Sequence, residues 1–358
     1  MDDFIPFLTA LLVAGILTPP VKRWAVVIGA VDHPAERKIH REPMPRLGGM
    51  AVYAGFWTGV LVYGGLHPGV LPAAVAGIFM GSLSLVLLGV YDDIGDAPVR
   101  IKFPVQIAAA HLAYFFGVRF DLLPGIAAFA GITLPEPLVS FTAYALTILW
   151  IVGITNAINF MDGLDGLAGG ISLSASISLL LIAQLCDAAE MVPFVGALAG
   201  ALLGFMPFNR FPASIFLGDT GSTFLGFALA NFTLLTCHRP EASFGARLIP
   251  MLLLAVPLSD ILYAILRRAA AGANVFGADR GHVHHRLLAA GYSPRDAAGL
   301  LLLASLCSCL ASLILVDATP WTVAAVVLVV AALDVVVAIR LELFARRVIE
   351  AGAPGPSS

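Results

Sequence analysis

Side chains that could bind a phosphorylated ligand and a metal ion are gathered into a few short segments of this 358-residue chain. Three segments are acidic and glycine-rich: DDIGD at 92–96, NFMDGLDG at 159–166 and GD at 218–219; a fourth, DRGHVHH at 279–285, carries three histidines. Mg²⁺ takes one or two protein carboxylates plus substrate phosphates, and glycine lets the backbone approach a ligand closely. The pattern therefore predicts phosphoryl transfer, in which electrostatic positioning does most of the catalytic work.

The elements that must position these residues are membrane-spanning helices. The chain is 59% hydrophobic and 12% charged, whereas an ordinary soluble domain is about 25% charged. Since a span needs about 20 apolar residues, the sequence predicts an all-α polytopic membrane protein, a bundle of about 11 transmembrane helices. The predicted spans lie near 4–20, 48–66, 71–91, 103–120, 139–158, 169–185, 192–208, 223–236, 248–266, 297–316 and 321–338.

The distribution of basic residues predicts how the bundle is oriented. With the N-terminus outside, all of the 20 Lys and Arg except Arg119, Arg239 and Arg247 fall in internal loops or in the tail. Because Lys and Arg are retained on the cytoplasmic side, we expect an external N-terminus and a cytoplasmic C-terminus. The acidic and histidine segments then all lie at cytoplasmic ends of spans. We predict one integral-membrane domain, 1–350, followed by a disordered tail, 351–358.

Five segments, taken together and in order, resemble the polyprenyl-phosphate N-acetylhexosamine-1-phosphate transferases. This family includes the lipid-linked GlcNAc-phosphate initiators and the MurNAc-pentapeptide translocase. The segments are DHP, RKIH and PRLGG within 32–49; DD at 92–93 with Lys102 and Gln106; NAINFMDGLDGL at 156–167; FLGDTGS at 216–222; and DRGHVHH at 279–285. The resemblance implies transfer of an N-acetylhexosamine 1-phosphate from a UDP-sugar to undecaprenyl phosphate, with release of UMP. The lipid-diphosphate sugar formed would initiate cell-surface glycan synthesis at the bacterial inner membrane, with the site facing the cytoplasm.

The resemblance also implies a role for single residues. Asp219 would be the ligand of Mg²⁺, or alternatively Mn²⁺, with Asn159 as a second candidate ligand. Asp92 or Asp93 would accept the proton from, or orient, the lipid phosphate. The other catalytic and substrate-binding candidates are Asp162 and Asp165 beside the nucleotide, Lys102 on phosphate, Phe216 on uracil, and Asn156, Asn209, Lys38, His40, Arg46, Arg280, His282, His284 and His285.

Several alternatives stay open. The segment DRGHVHH lacks the three consecutive histidines of the translocase branch. This favours a UDP-N-acetylhexosamine, most simply UDP-GlcNAc, over UDP-MurNAc-pentapeptide. A transporter of nucleotide sugars or lipids would place its charges nearer the bilayer midplane. The histidines could instead bind zinc, although a fourth ligand is missing. A covalent aspartyl intermediate also fits, and a homodimer is left open, whereas no nucleic-acid partner is expected.

A few residues receive no function from the sequence. Asp260 and Asp334 lie within predicted spans and have no assigned role. Cys186 and Cys237 could pair if the external ends of their spans adjoin, but free thiols are favoured. The proline- and glycine-rich stretch 120–137 is expected to form a small external hairpin on the membrane.

Overall fold

A computed structural model describes residues 2–32, 43–239, 242–272 and 281–352. The described residues are almost entirely helical, and the one sheet they contain pairs β1 (Val31–Asp32) with β2 (Met44–Pro45) in antiparallel fashion. The α-helices in chain order are α1 (Ile5–Val27), α2 (Gly48–Leu66), α3 (Ala73–Gly95), α4 (Val99–Phe115), α5 (Leu122–Phe129), α6 (Glu136–Met161), α7 (Leu167–Leu185), α8 (Val192–Asn209), α9 (Gly218–Cys237), α10 (Phe244–Leu253), α11 (Ala255–Ala270), α12 (Val283–Ala289), α13 (Pro294–Leu313) and α14 (Pro320–Gly352).

The protein is an all-α polytopic membrane protein. In the described ranges nine helices are long and apolar enough to cross a membrane, or ten spans if α10 and α11 form one segment bent by 72°. Every apolar segment predicted from the sequence falls on a helix, with 248–266 divided between α10 and α11. The predicted span 103–120 falls on α4, whose 17 residues are fewer than the roughly 20 of a usual span. Judged by length and composition, the described residues therefore contain nine or ten of the roughly 11 predicted spans, and α4 is left out because it is one residue too short for that test.

Helix α9 lies at the centre of the bundle. In its most apolar stretch 94% of the residues are buried, against 6% in α14. A Cβ added to Gly89 of α3 would overlap the α9 backbone at Thr220, and one added to Gly49 of α2 would overlap it at Gly221. Small residues permit such close approach between membrane helices. The first turn of α9 is thereby held against the end of α3 and the beginning of α2.

Arginine side chains tie the loops together at the other end of α9. The guanidinium of Arg247 donates to the backbone carbonyls of Asp121 at 3.1 Å and Arg239 at 3.0 Å. Arg239 in turn donates to the carbonyl of Asp187 at 2.8 Å and to the carboxylate of Glu190 at 2.6 Å. Two of the three cations predicted to be external therefore connect three loops of this end.

Two further expectations concern the same end of the bundle. Cys186 and Cys237 are free thiols, as the sequence favoured. The hairpin expected within 120–137 was wrong, because these residues contain the short helix α5. Pro124 occupies its first turn, where a helix has no partner for the backbone N–H that proline lacks.

Candidate active site

Two carboxylates from distant parts of the chain converge on one lysine. Asp92 lies in the last turn of α3, Lys102 in the first turn of α4 and Asp219 in the first turn of α9. The Nζ of Lys102 donates to Oδ2 of Asp92 at 2.6 Å and to Oδ2 of Asp219 at 2.9 Å. The side chains of Lys102 and Asp219 are 30% and 22% exposed, whereas that of Asp92 is 6% exposed. The trio therefore borders solvent without being fully hydrated.

Asp93 has a different environment from its neighbour in the chain. Its carboxylate accepts hydrogen bonds from the backbone N–H of Asp219 at 3.0 Å, the backbone N–H of Thr220 at 3.0 Å and the Thr220 hydroxyl at 2.7 Å. Arg46 approaches the same carboxylate at 3.7 Å. Asp93 thus satisfies the first N–H groups of α9, which have no partner within that helix, and fixes Asp219 in place.

Asparagine side chains of α6 line the adjacent side. The amide nitrogen of Asn159 donates to Oδ1 of Asp219 at 3.2 Å and to the Ser222 hydroxyl at 2.8 Å. Asn156, about one turn earlier, forms a reciprocal amide pair with Gln106 of α4 at 2.7 and 3.2 Å. Asn159 belongs to the acidic centre, whereas Asn156 connects α4 to α6 beside it.

The turn that follows α6 supports a neighbouring loop. Oδ2 of Asp165 accepts the backbone N–H of Ala213 at 2.9 Å, and the amide of Asn209 donates to the carbonyl of Ile215 at 3.0 Å. Both contacts fix the segment 210–217 that precedes α9. Phe216 is held on the same segment, because its N–H donates to the Pro45 carbonyl at 2.8 Å and its carbonyl accepts from Gly48 at 2.9 Å.

Asp162 is half-buried and lies in the field of the other carboxylates. Burial, followed by the negative charges of Asp219 and Asp93, raises the pKa of Asp162 well above its ordinary value, and Arg46 offsets part of this effect. Like charges that disfavour ionisation in this way are typical of sites that bind a cation or transfer protons.

The described part of the histidine segment, residues 281–285, packs against the same turn. A Cβ added to Gly163 would overlap the imidazole of His284, and the ring of Phe160 lies 4.6 Å from that of His282. The rings of His282 and His284 are parallel within 2° at 6.1 Å, while His285 is exposed. Burial, and secondarily the neighbouring His285, lowers the pKa of His284 to about 4, so this buried ring is neutral at pH 7.

The structure thus brings most of the predicted residues together. Arg46, Lys102 and the acids at 92, 93 and 219 form one contact network with Asn159, and the 162–165 turn joins it to the histidines and to the Phe216 segment. Lys38, His40 and Arg280 lie outside the described residues.

Sequence reasoning gave no role to three residues of this region. Thr220 and Ser222 belong to the segment 216–222 that carries Asp219. The Thr220 hydroxyl contacts Asp93 and the Ser222 hydroxyl contacts Asn159, and both partners lie on other helices. Asp260 of α11 contacts His282. The signal for Asp260 was its position as an acid in an apolar span, where charged residues are costly and usually paired.

The donor set around Lys102 suits a divalent cation completed by substrate phosphates. Oxygens of Asp92 and Asp219 already converge on the ammonium group of Lys102, and since Mg²⁺ takes one or two protein carboxylates plus substrate phosphates, Asp219 would suffice as the carboxylate ligand. Asn159 would have to present its amide oxygen in place of the nitrogen that contacts Asp219. Within the described ranges, no group of three or more His, Cys, Asp or Glu side chains is arranged to hold a metal ion.

The sequence is similar to known bacterial proteins over most of its length. The family model of glycosyl transferase family 4 matches residues 75–237. The probable undecaprenyl-phosphate N-acetylglucosaminyl 1-phosphate transferase of Bacillus subtilis is 36% identical over 318 residues, covering 88% of this chain and 86% of the relative. The decaprenyl-phosphate N-acetylglucosaminephosphotransferase of Mycobacterium tuberculosis is 36% identical over 80% of this chain and 76% of its own.

A third relative, the undecaprenyl-phosphate alpha-N-acetylglucosaminyl 1-phosphate transferase of Escherichia coli, is 30% identical over 79% of this chain and 76% of its own. The resemblance drawn from the five segments is therefore confirmed. The chain belongs to the polyprenyl-phosphate N-acetylhexosamine-1-phosphate transferases of glycosyl transferase family 4.

Proposed function

We propose that the protein transfers GlcNAc 1-phosphate from UDP-GlcNAc to undecaprenyl phosphate and releases UMP, forming the lipid-diphosphate sugar that initiates a cell-surface glycan. The observation that carries this proposal is the convergence of Asp92 and Asp219 on Lys102 at one end of a membrane bundle. The names of the relatives support GlcNAc 1-phosphate and a polyprenyl phosphate as the groups transferred and received. The resemblance of the five segments supports the UDP carrier, and the carboxylates of Asp92 and Asp219 beside the site support a divalent metal.

The reaction we propose is a single displacement. An oxygen of the lipid phosphate attacks the β-phosphorus of the UDP-sugar, a new P–O bond forms, and the bond to the oxygen that bridges the two phosphorus atoms breaks as UMP leaves. Mg²⁺, held by Asp219 with Asn159 as a second ligand, would neutralise the diphosphate charge. Asp92 orients the lipid phosphate or takes its proton, because Asp93 is committed to three hydrogen bonds with α9.

The remaining residues would bind the substrates. Lys102 lies between the two carboxylates and is placed to hold a phosphate. Asp165 and Asn209 fix the segment that carries Phe216, which would stack on uracil. The histidine segment would contact phosphate or sugar from the side of Gly163.

We further propose that the site faces the cytoplasm of the bacterial inner membrane, with the N-terminus outside and the C-terminus inside. The distribution of Lys and Arg supports this orientation. The lipid acceptor would enter from the bilayer and the nucleotide from the cytoplasm.

Release of UMP by the purified protein tests the proposal. The protein is incubated with undecaprenyl phosphate, Mg²⁺ and a panel of UDP-sugars that includes UDP-GlcNAc, UDP-GalNAc and UDP-MurNAc-pentapeptide. We expect UMP and a lipid-linked sugar with UDP-GlcNAc, and loss of both without Mg²⁺. Movement of UDP-sugar across a bilayer without UMP would instead indicate a transporter, and a trapped phosphosugar adduct on an aspartate would contradict the single displacement.

Variants at the two ends of the bundle sharpen the test. Asp219→Asn should abolish metal-dependent turnover and leave membrane insertion intact, because the amide supplies a weaker ligand and no charge. Asp187→Asn, at the opposite end, removes an exposed carboxylate and should have wild-type activity. Full activity of Asp219→Asn at ordinary Mg²⁺ would refute the ligand assignment.

A further inference from the structure

A buried acid of α11 uses both carboxylate oxygens to hold the histidine segment. Asp260 is 5% exposed. Its Oδ2 lies 2.7 Å from Nδ1 of His282, and its Oδ1 accepts the backbone N–H of Val283 at 2.7 Å. A carboxylate held by two donors in this way cannot rotate without breaking one of the hydrogen bonds.

Asp260 lies in α11, the second of two helices that meet at a bend of 72°. The residue before His282 is held as well, because the side chains of Arg267 and Arg286 both donate to the Gly281 carbonyl, at 2.8 and 2.9 Å. The start of α12 is thus attached to α11 through side chains on either side of the first histidine.

The pairing also determines which nitrogen of His282 carries a proton. An ionised carboxylate has only acceptor oxygens, so Nδ1 must be the donor in the contact with Asp260. In the neutral ring this leaves the lone pair on Nε2, because the partner of one imidazole nitrogen sets the state of the other.

We propose that Asp260 is a positioning residue, which sets the orientation and the tautomer of His282 and keeps the histidine segment docked on the Asp162–Gly163 turn. This inference rests on the proposed function, because it assigns to the segment the phosphate or sugar of the UDP-sugar. Asp260 contacts no substrate in this view. It acts through His282 and, through the parallel ring of His284, on the turn beside the acidic centre.

Kinetics of two substitutions test the role of Asp260. Asp260→Ala removes both hydrogen bonds and should lower kcat/KM for UDP-GlcNAc by about 10- to 100-fold, by analogy with the cost of removing the carboxylate that orients a metal-bound histidine. KM for undecaprenyl phosphate should stay within about twofold, since the segment is assigned to the other substrate. Wild-type kinetics of Asp260→Ala would overturn the inference.

Asp260→Asn tests the tautomer of His282 separately from the docking of the histidine segment. Its amide oxygen can accept from Val283 while its NH₂ donates to Nδ1 of His282, which keeps the segment in place but moves the ring proton to Nε2. We expect turnover to fall while docking persists, and full activity would refute the role of the tautomer. Ser259→Ala is the matched control, because it removes a 2.7 Å hydrogen bond to Asp334 from the adjacent position of α11 and should leave kinetics unchanged.

Chemical labelling provides a readout that does not require activity. Diethyl pyrocarbonate should modify the exposed His285 in every variant, and His282 and His284 only in Asp260→Ala, as measured by mass spectrometry. Equal labelling of His282 in the wild type and in Asp260→Ala would refute the inference even if the enzyme is active. If the wild type releases no UMP, the proposed function fails, and the labelling still decides whether Asp260 docks the segment.

A double substitution shows whether Asp260 acts through His282. If it does, Asp260→Ala should cost much less activity in the His282→Ala background than in the wild type, since residues that act as a unit have non-additive effects. Fully additive losses would mean that Asp260 acts independently of His282 and would overturn the assignment.

Discussion

Asp92 and Asp93 are consecutive residues whose carboxylates serve different partners. Asp92 accepts from Lys102 at 2.6 Å and from the backbone N–H of Ala97 at 2.5 Å. Asp93 faces α9 and accepts three hydrogen bonds there. The first residue therefore faces Lys102 and the candidate site, and the second positions Asp219.

Asparagine substitutions should separate the two roles. Asp93→Asn leaves one acceptor oxygen for three donors, and an unsatisfied buried donor costs about 1–3 kcal/mol. It should therefore lower the thermal unfolding midpoint of the detergent-solubilised protein as well as its activity. Asp92→Asn can still accept from Ala97, so it should keep the wild-type midpoint and lose UMP release. Equal loss of stability in both variants would contradict this division.

His284 should make stability depend on pH. Its folded pKa is lowered to about 4 by burial, whereas an unfolded histidine has a pKa of about 6.5. Between these values the unfolded chain binds a proton that the folded segment does not. The contribution of His284 to the free energy of unfolding should therefore be complete above pH 6.5 and should decrease as the pH falls towards 4.

The unfolding midpoints of the wild type and His284→Gln, measured from pH 7.5 to 4.5, test this expectation. Glutamine has no group that titrates in this window, so the wild type should lose more stability than the variant as the pH falls. Parallel curves would show that His284 is solvated in the folded protein.

At the scale of elements, the site depends on a contact between two segments that are distant in the chain. The turn at 162–166 follows α6, and the histidine segment continues into the first turn of α12, which holds His284 and His285. They meet where Gly163 leaves room for the imidazole of His284. A glycine is therefore required here for space, since its φ is not in the left-handed region.

Gly163→Ala should displace the histidine segment. The added methyl group would overlap the His284 ring, so we expect diethyl pyrocarbonate to modify His284 and KM for UDP-GlcNAc to rise at least severalfold. Gly153→Ala in α6 is the matched control, because nothing lies within 4 Å of its added Cβ and alanine favours helix. Wild-type labelling of Gly163→Ala would mean that the segment adapts without undocking.

At the scale of the whole molecule, the sequence predicted helices better than it predicted their contacts. Long apolar segments identify spans because lipid leaves few alternatives for the backbone, and each predicted segment falls on a helix. The bend between α10 and α11 and the partner of Asp260 were not predicted. Both depend on segments distant in the chain, and a local pattern does not report the pairing of His282 with an acid 22 residues away.

The acidic centre could be anticipated because its residues occur in recognisable segments. The division between Asp92 and Asp93 could not, since two adjacent aspartates look alike until α9 is placed against one of them. The partner of Asn156 could not be anticipated either, because its side chain pairs with Gln106 of α4 and not with the acidic centre.

The orientation of the bundle can be tested with one exposed position at each end. Arg210 follows α8 near the loop that Asp165 holds, and Glu190 lies in the loops tied by Arg239 at the other end. In a variant whose four native cysteines are replaced by alanine and that retains activity, we introduce Arg210→Cys or Glu190→Cys. A membrane-impermeant maleimide added to intact spheroplasts should label Glu190→Cys and should label Arg210→Cys only after lysis. The reverse pattern would refute the external N-terminus and the cytoplasmic site, whereas labelling of both from outside would contradict a bundle that separates the two ends.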